Sequence, residues 1–230
     1  MSLILQIETA TSSCSVALAN EGKLLAVKEI NARNVHAEVI TLFINELIQQ
    51  ANIAYYDLDA IAVSCGPGSY TGLRIGVSTA KGLCFALDKP LIAIDTLEAM
   101  ATGVMDSEEF EPDAGMLLCP MIDARRMEVF TAIFNQHGDK IKSTAAEIID
   151  ENSFAGLLET NRVLFFGDGA EKCRSVLGKT PNALILQGFT NSAAHLTKKA
   201  FEKFSVKSFE DVGYFEPYYL KDFVAGKKAV

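Results

Sequence analysis

The sequence predicts an α/β fold made of two tandem lobes, each running βββαβαβα. Three observations predict it. The same succession of strand-like and helical runs occurs twice along the chain, and three strands open each half before strands and helices alternate. An acidic stretch carrying Pro and Gly, "SEEFEPDAG" at 107–115, separates the halves. Three antiparallel strands followed by strand–helix alternation give a mixed sheet covered by crossover helices. The lobes are assigned to residues 1–104 and 105–230.

In the first lobe "LILQIE" (3–8), "CSVALAN" (14–20) and "KLLAVKEI" (23–30) read as strands, with Glu21-Gly22 a hairpin signal between the last two. A helix follows over 35–51, then strand "LDAIAVSC" (58–65), a helix over 71–87, strand "PLIAI" (90–94) and a helix over 96–103. The second lobe opens with "MLLCPMI" (116–122), "MEVFTAIF" (127–134) and "KIKSTAAEII" (140–149), the turn "NQHGD" joining the last two. A short helix near 152–159, strand "VLFFG" (163–167), a helix over 170–177, strand "ALILQ" (183–187) and a helix over 192–204 complete it. Duplicated lobes of this order imply a cleft between them. The order resembles the ribonuclease H-like architecture of actin, hexokinase and the Hsp70-like ATPases.

Composition narrows the function classes. The chain has 230 residues, 49% apolar and 22% charged, enough to bury a sizeable core. A formal net charge of −8 argues against a nucleic-acid surface of its own, because such surfaces neutralise phosphates with clustered Lys and Arg. The basic runs are only pairs: Arg125-Arg126, Lys198-Lys199 and Lys227-Lys228. Five cysteines without C-x-x-C spacing read as buried free thiols in a reducing compartment. No stretch approaches the ~20 apolar residues of a membrane span, and the opening segment is too short for a signal-peptide core. A cytoplasmic protein with no membrane partner is expected.

The stretch "CGPGSYTGLRIGVSTAKGL" (65–83) bends through glycines into a helix, the shape of a phosphate-binding loop. Amides at a helix N-terminus favour an anion. The candidate nucleotide contacts are Thr9, Thr11 and Ser12 of the first hairpin, Gly66, Gly68 and Ser69 of the bend, and Gly167, Asp168 and Gly169 of "GDG". The bend is no Walker motif, since Gly66 and Gly72 are one residue too far apart and Leu73 stands where Lys is required. The competing reading is local: Ser69 or Thr71 caps the helix, Gly66 and Gly68 permit the bend, and Pro67 stiffens it. A helical metal pair starting at His36 needs a second His at position 40, which is Ile40. His137 and His195 stand alone. No metal site and no catalytic residue are assigned, and any ATP or ADP binding is expected to be weak or confined to a complex.

Two helices offer a different function. Gly72, Gly76 and Ala80 recur every four residues, a stripe that admits close approach of another helix. Glycine inside a helix costs about 1 kcal/mol relative to Ala, so the pair implies tight packing. Helix 35–51 has Ile40, Ile44, Leu47, Ile48 and Ala51 along one face, with Val39, Leu42 and Phe43 spreading round the cylinder. A helix that covers a sheet needs one apolar stripe, and the surplus points to a partner surface. The expected interface is His36, Val39, Ile40, Leu42, Phe43, Leu47, Gly72, Gly76 and Ala80. The alternative is that these helices pack on their own sheet.

The segments "LQIETATSSCSVAL", "HAEVITLFINELI", "LDAIAVSCGPGSYTGLRIGVSTAKGLCFAL" and "PLIAIDTLEAMA" together resemble the TsaB family, also called YeaZ, of bacterial tRNA modification. "MIDARRMEVFTAIF" and the tail "YFEPYYLKDF" fit the same family. The resemblance implies a scaffold that shares the fold of the catalytic subunit TsaD without its paired metal histidines. It implies work with a TsaD-like enzyme and a TsaE-like ATPase to place threonylcarbamoyl on adenosine 37 of tRNAs reading ANN codons, the t6A modification. Pairing with the enzyme, and homodimer formation in isolation, would use helices 35–51 and 71–87, with tRNA met only through the complex. Glu8 departs from the Asp that this architecture mostly carries in its first hairpin. An independent ATPase or phosphotransferase is the competing class, and a peptidase, after an old glycoprotease label, is a third. The aromatic tail (Tyr214, Phe215, Tyr218, Tyr219, Phe223) is expected to pack back onto the body.

Overall fold

The computed structural model describes residues 2–107 and 115–221. Most of the acidic stretch between the halves, Phe223 and Lys227-Lys228 lie outside the described residues. Strands β1 (Leu3–Glu8), β2 (Ser13–Asn20), β3 (Lys23–Asn31), β4 (Ala60–Gly66) and β5 (Leu91–Asp95) form one sheet in the order β3-β2-β1-β4-β5. Strands β6 (Leu117–Asp123), β7 (Glu128–Phe134), β8 (Lys140–Ile148), β9 (Val163–Phe166) and β10 (Ala183–Ile185) form a second, ordered β8-β7-β6-β9-β10. In each, the first three strands pair antiparallel and the central strand then pairs parallel with the fourth. The two lobes repeat one topology, as the repeated element order requires.

Helices α1 (His36–Gln50), α2 (Tyr70–Leu87), α3 (Thr96–Met105), α4 (Ala155–Leu158), α5 (Asp168–Leu177) and α6 (Thr197–Ser205) cover the sheets. Two depart from expectation. The helix anticipated over 152–159 is a single turn, entered through Phe154 at φ 64°, outside the helical region. The one anticipated over 192–204 begins as a 3₁₀ turn at Ala193–Leu196, capped by the Ser192 hydroxyl, before α6 proper.

Alternation along the strands decides which layer goes where. On β1, Leu5 and Ile7 face α1 and α2, packing with Ile40, Ile44, Leu47, Val77 and Ala80. Ile4 points the other way, with Ala60, Ala62, Ile92 and Ile94, and meets Ala99 of α3 together with Leu196 and Ala200. The second sheet puts Leu118, Phe130, Phe134 and Phe166 against Leu97, Met100, Ala101 and Val104 of α3. Its opposite face packs Cys119, Met121, Val163 and Phe165 on Ala170, Cys173 and Leu177 of α5. The layers therefore run α–β–α–β–α, with α3, α6 and the 3₁₀ turn filling the space between the sheets.

The middle layer is exchanged between the halves of the sequence. Helix α3, from the segment 1–104, covers mainly the second sheet, whereas α6, from 105–230, covers the first. The tail follows α6. Glu210 bridges to Leu91, Val212 and Phe215 join the core beneath α1 and α2, and Tyr218 N–H donates to Cys65 O at 2.7 Å. Leu220 then packs on the second lobe's core. Tyr214 stays exposed.

Candidate functional site

The first hairpin and the glycine bend meet, as a phosphate cradle would require, but they close on each other. Thr9 is fully buried and its Oγ1 donates to Gly72 O at 2.8 Å. Thr11 Oγ1 accepts from Ser13 N–H at 3.2 Å, and Ser12 Oγ donates to Asn31 Oδ1 at 2.8 Å. In the bend, Gly66 N–H donates to Thr96 Oγ1 (3.1 Å), Ser69 N–H to Ala10 O (2.7 Å) and Gly72 N–H to Ser69 Oγ (3.2 Å). Ser69 is thus the N-cap of α2. A Cβ at Gly68 would collide with Ala10, and one at Gly66 with the Tyr218 carbonyl. The glycines are needed because chain crosses chain here, and three of the amides that a phosphate would use already have acceptors.

Glu8 ends β1 on the face toward the middle layer. It is 1% exposed and accepts from Ala10 N–H at 2.6 Å. Burial pushes its carboxyl up to about 7, against the pull of the Ala10 amide. Gly167, Asp168 and Gly169 lie at the start of α5, apart from the hairpin and bend. A Cβ at Gly167 would collide with Met121 O, and one at Gly169 would crowd the Met121–Ile122 backbone. Asp168 Oδ1 accepts from Asp123 N–H at 2.9 Å, tying α5 to β6, and burial pushes that carboxyl up.

The expected helix surface is redrawn by the packing. Ile40 and Leu47 are buried in the chain's own core, as is Ala80. His36 is also buried, its Nε2 within 3.0 Å of Thr11 O and 3.2 Å of Ser13 O. Since carbonyls only accept, that nitrogen carries the proton and pins the start of α1 to the hairpin. A Cβ at Gly72 would overlap Thr9 O, and one at Gly76 Thr9 Oγ1. The glycine stripe is therefore the seat of the hairpin, and six of the nine expected interface residues face inward: His36, Ile40, Leu47, Gly72, Gly76 and Ala80. The cause is that α2 packs down onto β1 and β4, so its smallest residues go where the backbones come closest.

What remains outside is Leu42, 59% exposed, with Val39 and Phe43 half-buried beside it. The structure adds two residues that the sequence reading passed over. Phe85 of α2 is 86% exposed, and Gly82, inside the same helix, has nothing within 4 Å of where its Cβ would be. The signal for Gly82 was present, a third glycine in α2, but its spacing does not extend the Gly72–Gly76 series.

The chain matches the family model described as TsaD, tRNA N6-adenosine threonylcarbamoyltransferase, over residues 27–214. It is 30% identical to the tRNA threonylcarbamoyladenosine biosynthesis protein TsaB of Escherichia coli strain K12, over 98% of this chain and 97% of that one. The chain belongs to the TsaB family. The Bacillus subtilis strain 168 TsaB is also 30% identical, over 83% of this chain and 80% of its own. The solved structure titled YeaZ from Pseudomonas aeruginosa superposes with a TM-score of 0.79 at 25% identity, covering 96% of this chain and all of that one. A second Pseudomonas aeruginosa structure, an uncharacterized protein with similarity to peptidase YEAZ, gives 0.82 at 26% identity over 96% of this chain and all of that one. In this TsaB-family chain the thiols are poor nucleophiles. All five cysteines are free, and burial pushes Cys14 up to about 11 and Cys65, Cys84 and Cys119 up to about 12. Among the described residues no group of three or more His, Cys, Asp or Glu gathers as a metal site would require, and no helix is long and apolar enough to cross a membrane.

Proposed function

We propose that the protein is a non-catalytic scaffold subunit that holds and activates a TsaD-like enzyme during threonylcarbamoylation of adenosine 37 in tRNA. The observation that carries the reading is the exposed apolar surface of α1 and α2: Leu42 of α1 and Phe85 of α2 stand in solvent, and Gly82, one turn before Phe85, has open space where a Cβ would be. A mid-helix glycine is destabilising by about 1 kcal/mol, and no neighbour within the chain makes use of this one. Large exposed apolar side chains next to such a gap suit a second helical surface. A TsaE-like ATPase would join the pair, tRNA would be met through the complex, and in isolation the same face would support a homodimer. The inward-turned hairpin and bend favour a scaffold over an independent ATPase or phosphotransferase.

The test is pairing with the purified TsaD-like subunit of the same organism, by titration calorimetry. Leu42→Glu and Gly82→Arg are expected to weaken it at least tenfold, with melting temperatures held within a few degrees of the parent. Undiminished affinity in both variants overturns the proposal.

A further inference from the structure

A second feature of α2 lies where the tail crosses it. Arg74, Ser78 and Lys81 fall at i, i+4 and i+7, one above another on a single helix face. Opposite them run Phe215, Glu216, Pro217 and Tyr219, and the two walls enclose a cavity of about 390 Å³. The tail is fastened there by Lys81, whose Nζ donates to Phe215 O at 2.9 Å and to Gly213 O at 3.3 Å. Tyr70 and Tyr219 close one end, ring centroids 4.6 Å apart and planes tilted by 35°. The Arg74 guanidinium lies 5.0 Å over the Tyr70 ring.

Among the described residues no carboxylate pairs with Arg74, although the chain carries a net charge of −8. Glu216, on the tail wall, is exposed and forms an ion pair with neither Arg74 nor Lys81. Stacking on an aromatic ring fixes the guanidinium plane, a side-chain hydrogen bond with Tyr219 takes up part of its N–H edge, and the others of its five N–H donors remain to reach a ligand oxygen. The Tyr70 ring is already engaged by Arg74 and Tyr219, so the aromatic surface builds the wall instead of offering a platform to a base.

We propose that the cavity between α2 and the tail is a binding site for a small oxyanion, a carboxylate or phosphate group held by Arg74 with Lys81, Ser78 and Tyr219 around it. The group can arrive free in solution or as an acidic side chain of a docked subunit, and both are read by one pair of measurements. In the first, inorganic phosphate is titrated into the isolated full chain at constant ionic strength set with chloride, followed by amide chemical shifts. Saturable shifts confined to residues 70–81 and 213–219 are expected, weakened at least tenfold in Arg74→Gln and partly recovered in Arg74→Lys. In the second, affinity for the TsaD-like subunit is measured for the parent and Arg74→Gln, with and without phosphate. Loss of affinity in Arg74→Gln together with competition by phosphate identifies a partner carboxylate; phosphate binding with unaltered pairing identifies a free anion. If Arg74→Gln changes neither measurement while its melting temperature matches the parent, the site does not exist. Phosphate shifts that persist in Arg74→Gln overturn it equally.

Discussion

Glu8 is a buried carboxyl group bonded to the Ala10 amide, with no cation paired to it among the described residues. Such a group favours its proton, and the consequence for stability has a definite sign. Below the ordinary value of 4.5 the carboxyl is protonated in both folded and unfolded chains, so its stabilising contribution is complete. Between that and about 7 the unfolded chain ionises first, and stability falls as pH rises; above about 7 the loss is complete. A displacement of this size is worth about 3 kcal/mol. Glu8→Gln, which keeps the shape and the neutrality, is expected to flatten the urea midpoint between pH 5 and 8 where the parent declines. Parallel declines in the two proteins would remove Glu8 as the cause. The sequence marked this residue as a departure from the Asp usual in the first hairpin. Its burial was not legible there, because the alternation of β1 says which face a side chain takes and nothing of how fully the next layer covers it.

Helix α2 carries its glycines on different sides, and their replacement separates fold from docking. Gly76→Ala drives a methyl into Thr9 and is expected to destabilise by about 1–3 kcal/mol, as overpacked cores do. Gly82→Ala meets open space and is expected to stabilise by up to about 1 kcal/mol. Urea denaturation of the two variants checks both, and equal effects would mean that α2 is rotated from the orientation described. Strands β1, β2, β4 and the helices of the first lobe were legible within a residue or two, because alternation and 3.6-residue periodicity were unbroken. The stripe of Gly72, Gly76 and Ala80 was legible as a close contact, but a period alone does not name the body contacted. The outer strands show a related economy. Leu24, Leu25, Val27 and Ile30 leave β3 apolar and exposed at a sheet edge, and the register slips between Leu18 and Ala19 where β3 pairs. β8 has similar slips near Ile133. A bulge turns an edge away from further strand pairing, so these edges resist stacking on other copies.

At the scale of the whole molecule, the two halves of the sequence cannot be parted cleanly. The repeat was legible, but the placement of α3 and α6 between the sheets was not, since α3 is buried round most of its surface and its pattern does not say which sheet takes which side. A fragment ending at residue 106 keeps the first sheet and Ala99 of α3 but loses Leu196, Ala200 and Phe204 from the cover over Ile4, Ala60, Ala62, Ile92 and Ile94. That fragment is expected to lack a cooperative thermal transition and to bind a hydrophobic dye, and a peptide spanning 189–221 supplied separately should restore both properties toward those of the full chain. A sharp transition from the fragment alone would show that the first lobe is self-sufficient. The hydrogen bond from Tyr218 to Cys65 carries this dependence into biosynthesis. A nascent chain leaves the ribosome at roughly 5–20 residues per second, so the glycine bend waits on the order of ten seconds for the segment that lies across it. Throughout that interval the first sheet is complete, yet the apolar face at Ile4, Ala60 and Ile92 still lacks Leu196 and Ala200.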